Sequence, residues 1–211
     1  MISLISFEGG DGSGKTTQLN LLADYLAGKG RVCVRTREPG GTKLGGMIRQ
    51  VLLEIGGDDI SVQTELFLYL ADRSHHIQEV IRPALTSGTL VLCDRFTDST
   101  VAYQGFGRGI DPRLLRRLNQ FASEGITPDL TLLLDCPVAV SLSRTSYRID
   151  RGEDRFEREK VEFHERVRSG FLELAQGEPN RICVLDASRP IREVHEEIRR
   201  VVDQRLDADR Q

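Results

Sequence analysis

The 211-residue sequence lacks several features that would assign it to other classes of protein. It has no apolar stretch approaching the roughly 20 residues that a transmembrane helix needs. Met1 leads directly into a β-branched run, so we expect no signal peptide. No long run of basic residues occurs, and the formal net charge is −3. These features argue against a membrane protein and against nucleic acid as the main partner.

Pairs of closely spaced cysteines are also missing. The sequence has four cysteines: Cys33, Cys93, Cys136 and Cys183. Without a C-x-x-C pair a zinc site has no supporting spacing, and buried free thiols in a reducing cytoplasm are the favoured interpretation. We expect all four histidines to be solvated, because they lie in helical and mostly polar stretches. These are His75, His76, His164 and His195.

A glycine-rich segment is the strongest motif present. Residues 7–17 read FEGGDGSGKTT, and Gly9, Gly14, Lys15 and Thr16 fit the phosphate-loop pattern G-x-x-x-x-G-K-[S/T]. The apolar run 2–7 predicts a buried strand before the loop. Apolar residues at helical spacing predict a helix after it. Strand, loop and helix together are the context that this motif requires.

The chemistry of a polyphosphate explains the composition of this loop. Glycines let successive backbone N–H groups turn inward, and the following helix adds its positive dipole end. Lys15 is expected to reach the β- and γ-phosphates, and the Thr16 hydroxyl to ligate Mg²⁺. The predicted ATP-binding residues of the loop are Gly9, Gly10, Asp11, Gly12, Ser13, Gly14, Lys15, Thr16 and Thr17.

Strand-like and helical patterns alternate along the whole chain. Apolar runs at 2–7, 32–36, 90–93, 130–134 and 182–185 predict five strands. The helical intervals between them predict one α/β domain with a parallel sheet and helices on both faces. Ligands of such sheets bind beyond the carboxyl ends of the strands, where the motifs cluster. The helix predicted over 43–55 has an apolar face that includes Met47 and Val51, and Gly105, Gly107 and Gly109 are expected to break the short helix predicted over 97–104.

Charged residues follow two of the predicted strands. Asp94 and Arg95 come at the tip of the third strand, which favours an outer-sphere Mg²⁺ carboxylate beside an arginine that binds phosphate. The turn after the second strand holds Arg37 and Glu38, and a ligand-facing loop and an incidental one remain equally open. Tyr69 and Arg73 share a helix face and could stack on a base and donate to its edge, but their spacing alone favours an ordinary surface pair.

The motifs FEGGDGSGKTT, TREPGG, DRF and AYQG occur in this order, beginning at Phe7, Thr36, Asp94 and Ala102. With them the sequence resembles bacterial thymidylate kinases over nearly its whole length. The resemblance implies a P-loop NTPase-type three-layer sandwich with a five-stranded parallel sheet and a short lid at about 144–160. It also implies a cytoplasmic homodimer that transfers the γ-phosphoryl of ATP to dTMP, with Mg²⁺, in dTTP biosynthesis.

The resemblance assigns residues to the acceptor as well. Tyr69 looks like the residue that stacks on thymine, and Arg73 like the donor to its O4 atom. Arg95, with help from Arg49 and Glu38, looks like the group that binds the dTMP phosphate. The other implied dTMP contacts are Pro39, Ser99, Thr100, Tyr103 and Gln104.

On the donor side, Asp11 looks like the carboxylate near the sugar 3′-hydroxyl and the metal, and Arg144 like an ATP contact. Some relatives carry an arginine directly after this acid, where this chain has Gly12. The lid must then provide the cation, which is consistent with the charged stretch around Gly152. The implied catalytic residues are Lys15, Arg95, Asp11, Arg148, Arg151 and Arg155.

Two other kinds of protein remain open. A deoxynucleoside kinase would need a carboxylate base to deprotonate a sugar hydroxyl, and Glu38 could be that base. Arg49 and Arg95 favour an acceptor that is already a phosphate, so a kinase for another pyrimidine nucleotide also stays open. A nucleotide-binding switch is the second alternative, although asparagine occurs only at positions 20, 119 and 180, which leaves no Asn-Lys-x-Asp guanine motif.

Overall fold

The computed structural model describes residues 2–53, 60–146, 155–156 and 159–208. Within these ranges the chain forms one five-stranded sheet in the order β2-β3-β1-β4-β5, with every pair of neighbours parallel. The strands are β1 (Leu4–Glu8), β2 (Cys33–Arg37), β3 (Leu90–Asp94), β4 (Leu130–Asp135) and β5 (Ile182–Asp186). The predicted strands and the parallel sheet are therefore confirmed, with ends shifted by one or two residues.

Helices occupy the intervals between the strands. They are α1 (Lys15–Gly28), α2 (Lys43–Leu53), α3 (Val62–His76), α4 (Arg82–Thr86), α5 (Thr97–Thr100), α6 (Pro112–Ala122), α7 (Val138–Ser146), α8 (Val161–Gly177) and α9 (Ile191–Ala208). A π-helical turn, Ile77–Ile81, joins α3 to α4, and a second one, Val101–Gly107, continues α5. In the described part of the chain, no helix is both long and apolar enough to cross a membrane.

Two layers of helices cover the sheet because successive strand residues point to opposite faces. On one face Leu132 of β4 packs with Leu22 of α1 and Ile198 of α9. On the other face its neighbour Leu133 belongs to the core formed with α6 and α8.

The glycines after α5 do not end the helix where the sequence predicts. Helical structure runs through Gly105 to Gly107, because a residue without a side chain is needed where this segment approaches α8. A Cβ at Gly107 would lie 2.6 Å from the Phe163 ring, and a Cβ at Gly170 of α8 would lie 2.6 Å from Phe106. The glycines allow two helices to pack closely, and the helix ends at Gly107, the second of the three glycines that were expected to break it.

Two further expectations about exposure were also wrong. Met47 and Val51 of α2 are exposed, because the helix packs on α3 through Gly45 and Leu52 instead. Among the histidines, His76 and His164 are buried. The four cysteines are free thiols, with Cys93 and Cys136 buried and the other two half-buried.

Candidate active site

The phosphate-binding loop follows β1, which lies between β3 and β4. Asp94 is the last residue of β3 and Arg95 follows it, while Glu38 follows β2. Three separate segments of sequence therefore meet at the carboxyl ends of the strands. A crevice at the carboxyl ends of the central strands is the usual ligand site of such a fold. The topology therefore brings together the motifs that the sequence spaces far apart.

The loop from Gly9 to Gly14 has the backbone of an anion cradle. Gly9, Gly12 and Gly14 have φ angles of 135°, 78° and 93°, which residues with a Cβ rarely adopt. The Lys15 ammonium donates to the Gly9 and Gly10 carbonyl oxygens at 3.0 and 2.7 Å. Burial and the nearby Arg95 lower the pKa of Lys15 to about 8. The lysine is thus held within the loop, where it can move onto a phosphate.

Thr16 and Asp94 meet at the start of α1. The Thr16 hydroxyl donates to the Asp94 carboxylate at 2.5 Å. Mg²⁺ in nucleotide-binding proteins usually takes one or two protein oxygens together with phosphates and water. One hydroxyl beside one carboxylate fits this requirement, and the described residues form no cluster of three or more acidic, histidine or cysteine groups that would hold a metal alone.

Arg95 joins the turn after β3 to the phosphate-binding loop. Its φ angle of 71° is unusual for a residue with a side chain. The guanidinium donates to the Gly9 carbonyl at 3.0 Å, to Asp11 at 2.5 Å and to the Tyr103 hydroxyl at 3.1 Å. Burial opposes ionisation of Asp11, but the charges of Arg95 and Lys15 lower the pKa of its carboxyl below the ordinary value. This pocket wall is therefore a preformed charge cluster.

The Glu8 side chain is hydrogen-bonded to the segment that follows Arg95. Its buried carboxylate accepts from the Phe96 N–H at 2.7 Å and from the Ser99 hydroxyl at 2.5 Å. Burial and the charge of Asp98 raise the pKa of Glu8 to about 8. The Glu8 carboxyl group thus connects the end of β1 to the segment that follows Arg95.

A pocket beside this cluster contains about 530 Å³ of space, part of it open to solvent. All ten residues that the resemblance assigns to dTMP line it, together with Asp11. Leu53, Phe96 and Phe156 also line the pocket and were not identified from the sequence. The prediction that these distant motifs form one site is therefore matched by the geometry, while the role of each residue stays a prediction.

Arg73 lies at the inner end of the pocket and is only 2% exposed. Its Nε donates to Glu38 at 2.8 Å, and its Nη1 donates to Thr100 at 2.9 Å and Asn119 at 2.6 Å. Within the described part of the chain, Nη2 makes no hydrogen bond. Tyr69 lines the same pocket. Arg73 and Tyr69 thus line one pocket and are not the exposed surface pair that their spacing alone favoured, while their roles toward a base stay predictions.

The Glu38 carboxylate contacts both Arg73 and His76. One carboxylate oxygen accepts from Arg73, and the other is 2.9 Å from Nδ1 of His76. The predicted help of Glu38 in binding the acceptor phosphate stays a prediction, because its described contacts are with these two side chains. Asp72, beside them, accepts from the Gly40 N–H at 3.1 Å, and burial and the charge of Glu38 raise its pKa to about 6.

A second cleft lies on the other side of the phosphate-binding loop. Gly12, Ser13, Gly14, Thr17 and Arg144 line it together with residues 187–191, which follow β5. The Arg144 guanidinium donates to the Ala187 carbonyl oxygen at 2.9 Å. Four of the nine predicted loop residues and the predicted ATP-binding arginine therefore line the same cleft.

Comparisons with known proteins agree with this geometry. The family model of thymidylate kinase matches residues 7–198. The chain belongs to the thymidylate kinase family. Thymidylate kinase of Geobacter sulfurreducens is 54% identical over 188 residues, 87% of this chain and 88% of that protein. Thymidylate kinase of Desulfovibrio desulfuricans is 51% identical over 195 residues, 90% of each chain.

A solved structure extends the comparison to the fold. The crystal structure of thymidylate kinase from Ehrlichia chaffeensis superposes with a TM-score of 0.77 at 37% identity and covers 95% of this chain and 98% of that chain. The predicted P-loop α/β fold is therefore confirmed for this thymidylate kinase family member.

The charged segment of this thymidylate kinase family member is described only in part. Arg148 and Arg151 lie outside the described residues, as does most of the predicted lid. Arg155 donates to Glu65 at 2.6 Å and to the Leu52 carbonyl at 3.0 Å, so its side chain contacts α2 and α3. Its predicted catalytic role stays a prediction. Phe156, the next residue, turns its ring toward Tyr103 at a centroid distance of 5.8 Å.

Sequence reasoning missed several members of the site, and a signal for them exists on α3. The missed residues Glu65 and His76 recur at helical spacing with Tyr69 and Arg73, and Glu65, Arg73 and His76 are buried. Glu65 accepts from Gln104 and from Arg155, so it connects two walls of the pocket. For Asn119, which accepts from Arg73, no local signal exists, because only the fold brings α6 to this position.

Proposed function

We propose that this protein is a thymidylate kinase that transfers the γ-phosphoryl of ATP to dTMP and forms dTDP and ADP. One observation supports this most strongly: a pocket lined by all ten expected dTMP residues adjoins the phosphate-binding loop through the Arg95–Asp11 ion pair. Membership of the thymidylate kinase family agrees with it. Transfer between phosphates needs positioning and neutralisation of charge more than a protein nucleophile.

Each residue then has a physical task. Lys15 neutralises charge on the β- and γ-phosphates, and Arg95 binds the acceptor phosphate. Bound Mg²⁺ would be held by Thr16 and, through water, by Asp94, and would neutralise phosphate charge. Arg144 contacts ATP in the second cleft. Because a nucleotide phosphate is already ionised, no general base is required.

The base is selected at the inner end of the pocket. Arg73 offers only donors, and thymine presents an acceptor, O4, where cytosine presents an amino group. Tyr69 supplies a stacking face, which tolerates any base. This arrangement favours thymine and uracil over cytosine.

A deoxynucleoside kinase is less well supported, because it needs a carboxylate free to act as a base. Glu38 already pairs with Arg73, and Asp11 pairs with Arg95. Both acids are therefore already engaged by an arginine, and neither is free to accept a proton from a sugar hydroxyl.

We further propose a homodimer that functions in the cytoplasm, with residues 144–160 as a lid over ATP. Free thiols are consistent with a reducing compartment. The neighbouring helices α2, α3 and α6 expose large apolar side chains, which fits burial against a second copy. These side chains are Leu44, Met47, Val51, Phe67, Leu114 and Phe121.

An assay of ADP production tests the proposal. The wild-type protein is incubated with ATP and Mg²⁺ and with dTMP, thymidine or no acceptor. Of the three incubations, we expect only the one with dTMP to form ADP rapidly. Comparable turnover with thymidine would instead support a deoxynucleoside kinase, and turnover without any acceptor would indicate a nucleotide hydrolase or switch.

A further inference from the structure

His76 does not line the pocket, but it contacts Glu38, which is hydrogen-bonded to Arg73 at the inner end of the pocket. The side chain is fully buried at the end of α3 and does not line the pocket. Its Nδ1 is 2.9 Å from Oε1 of Glu38, and its Nε2 is 2.6 Å from the Thr36 hydroxyl oxygen. A ring fixed at both nitrogens has a defined orientation.

The hydrogen bonds determine which nitrogen carries the proton. An ionised carboxylate only accepts, so Nδ1 of His76 must donate to Glu38. In the neutral ring Nε2 then accepts from the Thr36 hydroxyl. Thr36 precedes Glu38 by two residues, so the end of β2 holds both sides of the ring. The loop after β2 encloses it further, because a Cβ at Gly41 would lie 2.5 Å from Nε2.

Glu38 transmits this fixed orientation to the pocket. Its second oxygen accepts from Nε of Arg73 at 2.8 Å, and both side chains are only 2% exposed. A carboxylate held at one oxygen by His76 cannot rotate away from Arg73 without leaving a buried donor unpaired. The orientation of the guanidinium plane therefore depends on a series of hydrogen bonds that begins at Thr36, and with it the direction of Nη2, which has no hydrogen bond to any described residue.

We propose that His76 is a positioning residue that acts through Glu38 to orient Arg73 and thereby sets the affinity and base selectivity for the acceptor nucleotide. The proposal rests on the proposed function, in which Arg73 binds the base. It predicts that loss of the Nδ1 donor impairs use of dTMP while ATP binding and the phosphoryl transfer step remain nearly unchanged.

Two substitutions test the roles of the two ring nitrogens of His76 separately. In His76→Asn the side-chain amide can occupy the place of Nδ1, whereas in His76→Gln it reaches the place of Nε2. We expect His76→Gln to raise KM for dTMP about tenfold, as when a hydrogen bond to a charged group is lost. Its KM for ATP and its kcat should stay within about twofold, and its preference for dTMP over dCMP should fall. His76→Asn should restore KM for dTMP to within about threefold of wild type.

The neighbouring His75 provides a matched control, because it is only half-buried and makes neither hydrogen bond. His75→Gln should leave every constant unchanged. Equal KM values for dTMP in His76→Gln and wild type, or equal impairment of the Asn and Gln variants, would overturn the proposal. If His76→Gln does not fold, Thr36→Val decides: it removes the hydroxyl that fixes the ring, and an unchanged KM for dTMP there overturns it.

The failure of this inference differs from a failure of the proposed function. If wild-type protein does not phosphorylate dTMP, the proposed function is wrong. If it does, and the substitutions at His76 and Thr36 leave KM for dTMP unaltered, only the positioning role is wrong.

Discussion

Nη2 of Arg95 lies 2.5 Å from Oδ1 of Asp11. This ion pair connects the turn after β3 to the loop that is expected to bind ATP. Arg95, in that turn, is the residue expected to bind the phosphate of dTMP. The low pKa of the Asp11 carboxyl keeps the pair charged across the neutral range. The cation is therefore in place before either nucleotide arrives, which is the kind of preorganisation that makes electrostatic stabilisation effective.

Replacing Lys15 by alanine should abolish phosphoryl transfer and leave the fold intact. Its ammonium is expected among the transferring charges, where a lost stabilising group commonly reduces the rate by about a hundredfold or more. Steady-state turnover with dTMP measures the loss. The control is Lys29→Ala, because Lys29 is an exposed lysine that follows α1 and pairs with Asp203 of α9. Near-normal turnover of Lys15→Ala would contradict the role of the phosphate-binding loop.

At least one lid arginine should be essential for the transfer step. Gly12 has a φ angle of 78°, and a Cβ there would lie 2.2 Å from the Ser141 carbonyl oxygen, so this position cannot supply an arginine. The variants to measure are Arg148→Ala, Arg151→Ala and Arg155→Ala.

An arginine supplied to the transition state is worth about 10³-fold in kcat or more. We expect at least one of the three variants to lose turnover to that extent while retaining its affinity for ATP. Arg200→Ala on α9 serves as a control outside the site. Normal turnover by all three variants would instead indicate that the charged stretch is an ordinary solvated surface.

Arg73 should determine the choice of base. The expected order of kcat/KM is dTMP, then dUMP, with dCMP about 10⁴-fold behind, because cytosine would leave buried donors unpaired. The 5-methyl group contributes only about 0.8 kcal/mol of burial, so dUMP should be merely a poorer substrate.

Arg73→Ala should narrow the gap between dTMP and dCMP, chiefly by harming dTMP. Tyr69→Ala is the matched comparison, because loss of stacking should weaken all three acceptors alike. Efficient phosphorylation of dCMP by the wild-type protein would refute both the role of Arg73 and the thymidylate kinase assignment.

Asp72 should make the folded protein less stable as the pH rises from about 4 to about 6. Its folded-state pKa is raised from 3.8 to about 6, so the folded state holds this proton more tightly than the unfolded chain. The resulting stabilisation is complete below the unfolded pKa and is lost as the pH passes the folded one, by at most about 3 kcal/mol.

Asp72→Asn keeps an oxygen for the Gly40 N–H and cannot ionise. In urea titrations at one protein concentration, the variant should gain stability relative to wild type between pH 4.5 and pH 7.5. Parallel pH dependence of the two proteins would show that Asp72 ionises as easily in the folded state as in the unfolded one.

The exposed apolar side chains of α2, α3 and α6 should hold two copies together. Phe121, 86% exposed on α6, is the most exposed of these side chains. Phe121→Glu should shift the protein from dimer to monomer in sedimentation velocity experiments, because a charge would be buried in the interface. Val32→Glu alters a side chain that is 82% exposed outside these helices and should remain dimeric. A monomeric wild-type protein would exclude the proposed homodimer.

The sequence by itself determined the parts that local pattern specifies. The phosphate-binding loop is a contiguous motif, and its glycines, lysine and threonine are needed by the backbone and by phosphate at fixed spacing. The strands and helices follow from apolar periodicity, so the five parallel strands were predictable to within a residue or two. Arg95 could be singled out because a charge at the tip of a buried strand requires a partner.

Only the tertiary structure decided which residues, far apart in the sequence, contact one another at the pocket. Asn119 reaches Arg73 because α6 packs beside α3, and His76 reaches Glu38 because the end of α3 packs against the loop after β2. Neither contact is encoded by local spacing, because the partners lie 46 and 38 residues apart. The exposure of Met47 and the helix that continues through Gly105 were mispredicted for the same reason. Whether an apolar side chain is buried, or a glycine ends a helix, depends on the neighbouring element that packs against it, and that neighbour is far away in the sequence.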